Sequence, residues 1–207
     1  MIAHEPVLLA PRWRNAAADV LVRAFADDVL YSWVCPDRDY RLRALRRHFR
    51  ASVRYCLARG EVYTTPDLSG VALWLPPCNL VLDVLAFFRS GCGLLWSELA
   101  LEPESRRRML AMVRHDTAIA RRVAREPYWY LALLGVAPEL QGRGIGGALL
   151  EPRLRACDQD GLPCYLETET RDNIRFYERR GFTVVHEGAL PGGGPTMWAM
   201  WREPRPR

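Results

Sequence analysis

Leu134-Gly135-Val136-Ala137-Pro138-Glu139-Leu140-Gln141-Gly142-Arg143-Gly144-Ile145-Gly146-Gly147-Ala148-Leu149-Leu150 joins an apolar strand to a glycine-rich loop and then to a helix. Glycines at 142, 144 and 146 have no Cβ, so the backbone can take positive φ, approach a ligand closely and turn several N–H groups inward. The helix that follows adds its unpaired N-terminal amides and the positive end of its dipole, and Arg143 adds a full charge at the rim. Donors gathered in this way call for an anion, and a diphosphate fits.

Glycine-rich loops are common, and a plain turn or helix start is the simpler reading of one in isolation. A Walker-type loop needs Gly-Lys-Ser/Thr, which excludes it here because the chain contains no lysine. A dinucleotide fingerprint wants an acidic residue roughly 20 residues past the glycines. Glu167 and Glu169 fall near that distance, so spacing leaves that reading open.

The run Val136-x-Pro138-x-x-Gln141-Gly142-Arg143-Gly144-Ile145-Gly146 resembles the acyl-CoA signature of the GCN5-related N-acetyltransferase (GNAT) superfamily. The match continues downstream, where Asn173-Ile174-Arg175-Phe176-Tyr177-Glu178-Arg179-Arg180-Gly181-Phe182 resembles that superfamily's next helix. The resemblance implies an α/β (α+β) GNAT fold, a mixed and mostly antiparallel central sheet flanked by helices, with splayed central strands. It implies acetyl-CoA as co-substrate, bound by the backbone of Leu134, Gly135 and Val136, by Gln141, Gly142, Arg143, Gly144, Ile145, Gly146 and Gly147, and by Asn173. It assigns the general-acid role to Tyr177.

Direct attack of an amine on a thioester needs a deprotonated nucleophile, a stabilised oxyanion and a proton for the departing thiolate. Tyr177 lies one helical turn after Asn173, and a phenol is a suitable donor to that thiolate; a core aromatic is its bland alternative. Asn173 has a bland alternative too, as a helix N-cap. Glu167 sits in an apolar strand context, where a carboxylate is costly unless paired or functional, so it is the candidate base, through water. Glu169 points the same way, and an ion pair with an arginine is the other reading of Glu167. The Val136 amide is the candidate oxyanion donor. Asp27, Asp28, Tyr31 and Trp33 are the candidate acceptor wall, the acids suiting a cationic amine and the aromatics its apolar body; Trp74 and the segment 80–96 can complete it.

At 207 residues, 49% hydrophobic and 26% charged, the chain suits one compact domain spanning 1–207. Glu5-Pro6 stands where a signal peptide would place an apolar stretch, and Leu80–Phe88 is short and interrupted by Asp83, so a cytoplasmic location with no membrane partner is expected. The six cysteines (35, 56, 78, 92, 157 and 164) show no C-x-x-C pairing and read as free thiols; the four histidines are dispersed, so no metal is expected. Net charge is +5, and all 29 basic residues are arginine. Seven of them, at 38, 41, 43, 46, 47, 50 and 54, interleave with Leu42, Leu45, Phe49, Val53 and Cys56 at helical spacing. That pattern predicts an amphipathic helix whose arginines are its wet face, with nucleic-acid binding disfavoured.

The predicted partner is therefore a small-molecule amine, antibiotic-like or other, with monomer and homodimer both open. Acetylation of a protein or peptide N-terminus and a non-catalytic acyl-CoA sensor are the alternatives. Periodicity predicts a strand over Val7–Ala10, a helix capped by Asn15 and running to Ala26, a loop over Asp27–Pro36, and a hairpin of Glu61–Thr65 with Gly70–Leu75. It predicts helices over Leu80–Phe88 and Glu104–Val123, separated at Gly91-Cys92-Gly93, and strands over Tyr128–Val136 and Cys164–Glu169. A last hairpin runs over Pro191–Gly194, and Pro152 predicts a kink or early end in the helix after the glycine loop.

Overall fold

The computed structural model describes residues 5–77, 100–124 and 127–205. The predicted helix over 80–88, the break at 91–93, Cys78 and Cys92 lie outside the described residues. Seven strands form one sheet in the order β1-β2-β3-β4-β5-β7-β6: β1 Val7–Leu8, β2 Glu61–Thr64, β3 Gly70–Leu75, β4 Trp129–Val136, β5 Cys164–Thr168, β6 Thr183–Ala189 and β7 Thr196–Arg202. Every pairing is antiparallel except β4 with β5, as the implied GNAT fold requires.

Strand alternation splits the core in two. In β3, Val71, Leu73 and Leu75 face one side, and Ala72 and Trp74 the other. The first side is covered by α1 (Arg14–Ala24), α2 (Val29–Val34), α3 (Arg38–Arg59) and α4 (Pro103–Val123). The second is covered by α5 (Ile145–Asp160), through Ile145, Leu149, Leu150 and Leu154, and by α6 (Arg171–Glu178), through Tyr177. Trp74 is fully buried in this second core, so it does not reach the acceptor side.

Several local expectations need correcting. Asn15 lies inside α1, which follows a 3₁₀ turn at Pro11–Trp13 and has no side-chain cap. The segment after Ala26 is not all loop: the Asp28 carboxylate accepts from the N–H groups of Leu30 and Tyr31 and starts α2, satisfying orphan donors that hydrophobic periodicity cannot reveal in a six-residue helix. Arg41 is not on the wet face of α3; it is buried and donates to the carbonyls of Ala26, Cys35 and Pro36, pinning α2 to α3. Pro152 does not end α5, which continues to Asp160 and closes on Gly161 at φ 67°. Among the described residues, no helix is long and apolar enough to cross a membrane.

β4 and β5 pair only through Trp129↔Cys164 and Tyr130↔Tyr165. Beyond Tyr130 the register of β3 with β4 slips between Leu73↔Leu133 and Trp74↔Leu131, leaving Ala132 as an extra residue on β4. A bulge of that kind bends its strand, and the rest of β4 turns away from β5. The splay between these two strands positions the site.

Candidate active site

Two cavities open at the splay. One, of about 450 Å3, runs along the glycine loop between Leu134, Val136, Leu140–Gly142, Gly144–Gly146 and the α6 side chains Asn173, Phe176, Tyr177, Arg179 and Arg180. The other, of about 150 Å3, lies on the opposite side of the strand gap, among residues 130–134 and 167–169 with side chains from α1, α2 and α4. Leu134, Asn173 and Tyr177 line both, so the cavities meet at the phenol.

The loop cavity is made of main chain. Gly142 and Gly144 have φ of 75° and 84°, in the left-handed region where a Cβ is strained. Gly144 caps α5 with no side-chain bond, and the first α5 amide with a backbone acceptor is that of Ala148, bound to the Gly144 carbonyl. The N–H groups of residues 142–147 therefore have no acceptor among the described residues, a row of six consecutive donors next to a helix N-terminus.

The strand edge continues that row. Ala137 donates to the carbonyl of Ser69, just before β3, so alternation turns the polar groups of Val136 and Leu134 into the splay and those of Gly135 toward β3. Gln141 Nε2 donates to the Val136 carbonyl at 3.1 Å, tying the loop to the strand and leaving the Val136 N–H unclaimed. Gly135 has another reason to be glycine: a Cβ there would come within 2.8 Å of Leu21 and 3.1 Å of Ala24 on α1.

Three expected loop residues lie off the cavity wall. Gly135 packs on α1, the Arg143 guanidinium is exposed and donates to the Glu139 carbonyl at 3.4 Å, and Gly147 is occupied on its Cβ side by the Arg180 guanidinium. Arg180 was not foreseen as part of this wall. It stacks on the Phe176 ring at 3.7 Å and donates to the Phe176 carbonyl, and burial together with the neighbouring Arg179 charge lowers its pKa. The signal available was the Arg179-Arg180 pair at the end of the α6 motif, beside a glycine that only a bulky neighbour explains.

Asn173 is not a helix cap, since Thr170 holds that position; its Nδ2 donates to Thr168 Oγ1 at 3.0 Å and ties α6 to the end of β5. Tyr177 is 7% exposed, packed edge-on against Phe176 and Phe182. Burial first, then the negative charge of Glu169, raises its pKa, so the phenol keeps its proton.

The second cavity is made of acids. Asp28, Asp116, Glu167 and Glu169 all line it, with Tyr31, Tyr130, Phe25 and Met112. Glu167 is pushed up to about 8 by burial and by the Asp116 charge, opposed by the phenols of Tyr130 and Tyr165. Burial pushes Asp116 to about 7, and burial followed by the charges of Asp28, Asp116 and Glu167 holds Glu169 well above the usual carboxylate range. Asp28 is raised by burial, although its two backbone hydrogen bonds pull the other way. No arginine pairs with any of the four among the described residues, so the ion-pair reading of Glu167 does not hold there.

Of the expected acceptor residues, Asp28 and Tyr31 are on this wall and Asp27 and Trp33 are not. Asp27 is exposed and bridged to Arg38 at 3.1 Å and Arg41 at 3.5 Å, while Trp33 lies under the Arg108 guanidinium and against Gly194. The segment 80–96 is outside the described residues up to its last position. Asp116 is the acid that sequence reasoning missed. It falls on the apolar stripe of α4, between Met112 and Ile119, and a carboxylate on a stripe that should be buried was the available sign.

A splayed parallel pair, a glycine loop with free amides and a tyrosine at the junction define an acetyltransferase architecture. The model of the acetyltransferase (GNAT) family matches residues 87–182. An uncharacterized N-acetyltransferase of Schizosaccharomyces pombe is 33% identical over 180 residues, covering 84% of this chain and 71% of its own. The chain belongs to the GNAT family of acetyltransferases. In solved structures the fold is matched by a Corynebacterium glutamicum protein described as histone acetyltransferase HPA2 and related acetyltransferase (23% identity, 98% of this chain, 97% of the other, TM-score 0.68). Arylalkylamine N-acetyltransferase 2 of Aedes aegypti matches it as well (12% identity, 97% and 98%, TM-score 0.62).

Proposed function

We propose that the chain transfers an acetyl group from acetyl-CoA to the primary amine of a small molecule by direct attack in a ternary complex. The observation that carries this is the junction of the two cavities at Tyr177. The residues present fit the donor: of the six amides without an acceptor, those of Gly142, Gly144, Ile145 and Gly146 belong to residues that line the cavity, Arg180 adds charge, and the Leu134 and Val136 edge offers an amide-bearing arm the pairing of an added strand.

In this reading Glu167, through water, takes the proton of the incoming ammonium, and its raised pKa suits a base working near neutral pH. The amine lone pair then forms the C–N bond, the Val136 N–H steadies the carbonyl oxygen, the C–S bond breaks, and Tyr177 gives its proton to the thiolate. The nitrogen loses its second proton as the amide forms and that proton restores Tyr177, while Glu167 passes its own to solvent, so one proton is released per amide formed. Glu169, on the same wall and closer in charge to Tyr177, is the other candidate base.

The acceptor wall comprises Asp28 and Tyr31, with Asp27 and Trp33 kept as outer candidates that would need the segment near them to move. Residues 126–201 are similar in sequence to puromycin N-acetyltransferase, including Tyr165-Leu166-Glu167-Thr168, and Ala24–Asp27 and Pro36–Arg38 match it more thinly. Asp28 stands where that enzyme has an aromatic, which favours a more cationic acceptor. The proposal includes a cytoplasmic enzyme made of a single domain over 1–207, with no metal.

A thiol-release screen of acetyl-CoA against amine antibiotics including puromycin, polyamines, arylalkylamines, amino acids and peptides tests it. Turnover with a small amine is expected. Turnover confined to peptides would favour the N-terminal acetylation reading, and binding of acetyl-CoA without turnover on any class would favour the sensor.

A further inference from the structure

The acceptor cavity carries more negative charge than one amine can answer. Asp28 comes from the start of α2, Asp116 from α4, Glu167 from β5 and Glu169 from the residue just past its end, so the fold brings four acids from three separate stretches of chain to about 150 Å3 of space. The chain has 29 arginines, yet none is paired with these four among the described residues. His115 Nδ1 lies 3.4 Å from Asp116, but burial and the Arg122 charge lower its pKa, so it adds no positive charge near neutral pH. Gathering like charges without a counter-charge is costly, and the arrangement is stable only with protons or a ligand cation.

A second observation points to a ligand. Tyr177, nine-tenths buried, lines the same cavity, and its hydroxyl has no hydrogen-bond partner among the described residues. The Tyr165 phenol lies buried in the field of Glu167 and Asp116, which holds it protonated.

The acids fall into two pairs. Glu167 and Glu169 lie in and just past β5, with the Glu169 charge acting on Tyr177, whereas Asp28 and Asp116 are carried by the helices α2 and α4 on the same cavity wall. The proton of the reacting amine passes to Glu167 before attack and answers that one carboxylate, leaving the other acids without a counter-charge. We propose that the acceptor is a small dication, whose reacting amine lies between Glu167, Glu169 and Tyr177 while a second, non-reacting cationic group stays on Asp28 and Asp116. This deepens the acetyl-transfer reading and rests on it for the order of events, but the binding preference stands apart from turnover. The raised pKa values of these carboxyls agree with it, since an added cation would return them to the ionised form.

The test compares 1,4-diaminobutane with n-butylamine on the intact chain, by calorimetry without acetyl-CoA and by thiol release with it. The dication is expected to bind at least tenfold more tightly at low salt and to show at least tenfold higher kcat/KM. Asp116→Asn is expected to bring the binding of the dication down to within about twofold of that of n-butylamine, a change read by calorimetry without acetyl-CoA. Equal binding of the two amines by the unmodified protein overturns the proposal, and that comparison needs no variant to fold. Absence of thiol release with every amine would overturn the acetyl-transfer reading instead, while the calorimetric preference would still decide the dication.

Discussion

The two cavities at the splay differ in what they are made of. The loop side is main chain: six N–H donors supplied by one continuous stretch, with arginines at its edge. The acid side is side chain: four carboxylates carried by α2, α4 and β5, far apart in sequence. A main-chain cradle recognises a group shared by every acyl-CoA and needs little beyond glycine and a helix start. In the function proposed, the side-chain pocket recognises the acceptor, and a different set of side chains on the same backbone would select a different amine. The contrast separates what makes the chain an acetyltransferase from what makes it selective.

The largest effect should come from the residue both cavities share. Tyr177→Phe keeps the ring against Phe176 and Phe182 but removes the proton donor, so kcat in a thiol-release assay should fall about 10²–10⁴-fold with KM for either substrate little changed. An unchanged kcat would mean that the thiolate is protonated elsewhere and the junction has no chemical role.

The next change acts on the loop alone. Gly144→Val places a β-branched side chain at φ 84°, at a strain of about 1–2 kcal/mol. Relieving that strain would move the amides out of line, so calorimetric affinity for coenzyme A should weaken by about tenfold, which is ~1.4 kcal/mol, while affinity for an amine at the acid side stays the same. Equal losses on both sides would show that the cavities are not independent.

The smallest effect is a pH dependence confined to the acid side. Glu167 must be ionised to act as base, so kcat/KM should rise with pH through about 8 and then level. Stability should move the other way. The folded carboxyl holds its proton up to about 8, whereas the unfolded group gives it up near 4.5, so this contribution is complete below pH 4.5 and is lost as pH rises through 8. Thermal denaturation should therefore show Tm falling between those values, with a flatter profile in Glu167→Gln.

The loop side was legible in the sequence because its information is local. Residues 134–150 state strand, glycine turn and helix in one run, and Asn173 and Tyr177 one helical turn apart follow from α6 periodicity. The splay itself depends on the extra residue at Ala132, and nothing in a uniformly apolar strand distinguishes that position from its neighbours. The acid side was only half legible. Glu167 and Glu169 stood out within an apolar strand, but Asp28 doubles as the cap of a six-residue helix and Asp116 became visible only once α4 lay across the gap. Asp27 and Trp33 have the chemistry that suits a cationic amine and its apolar body, but chain direction sends them instead to Arg38 and Arg108.

The central claim is that the row of free amides at 142–147 takes the diphosphate of the acyl carrier. Titrating coenzyme A into ¹⁵N-labelled protein and following backbone amide resonances tests it most directly. The largest shifts should fall on residues 142–147, with weaker ones at Val136. Binding that leaves those six amides unmoved, or no binding at all, would contradict the account.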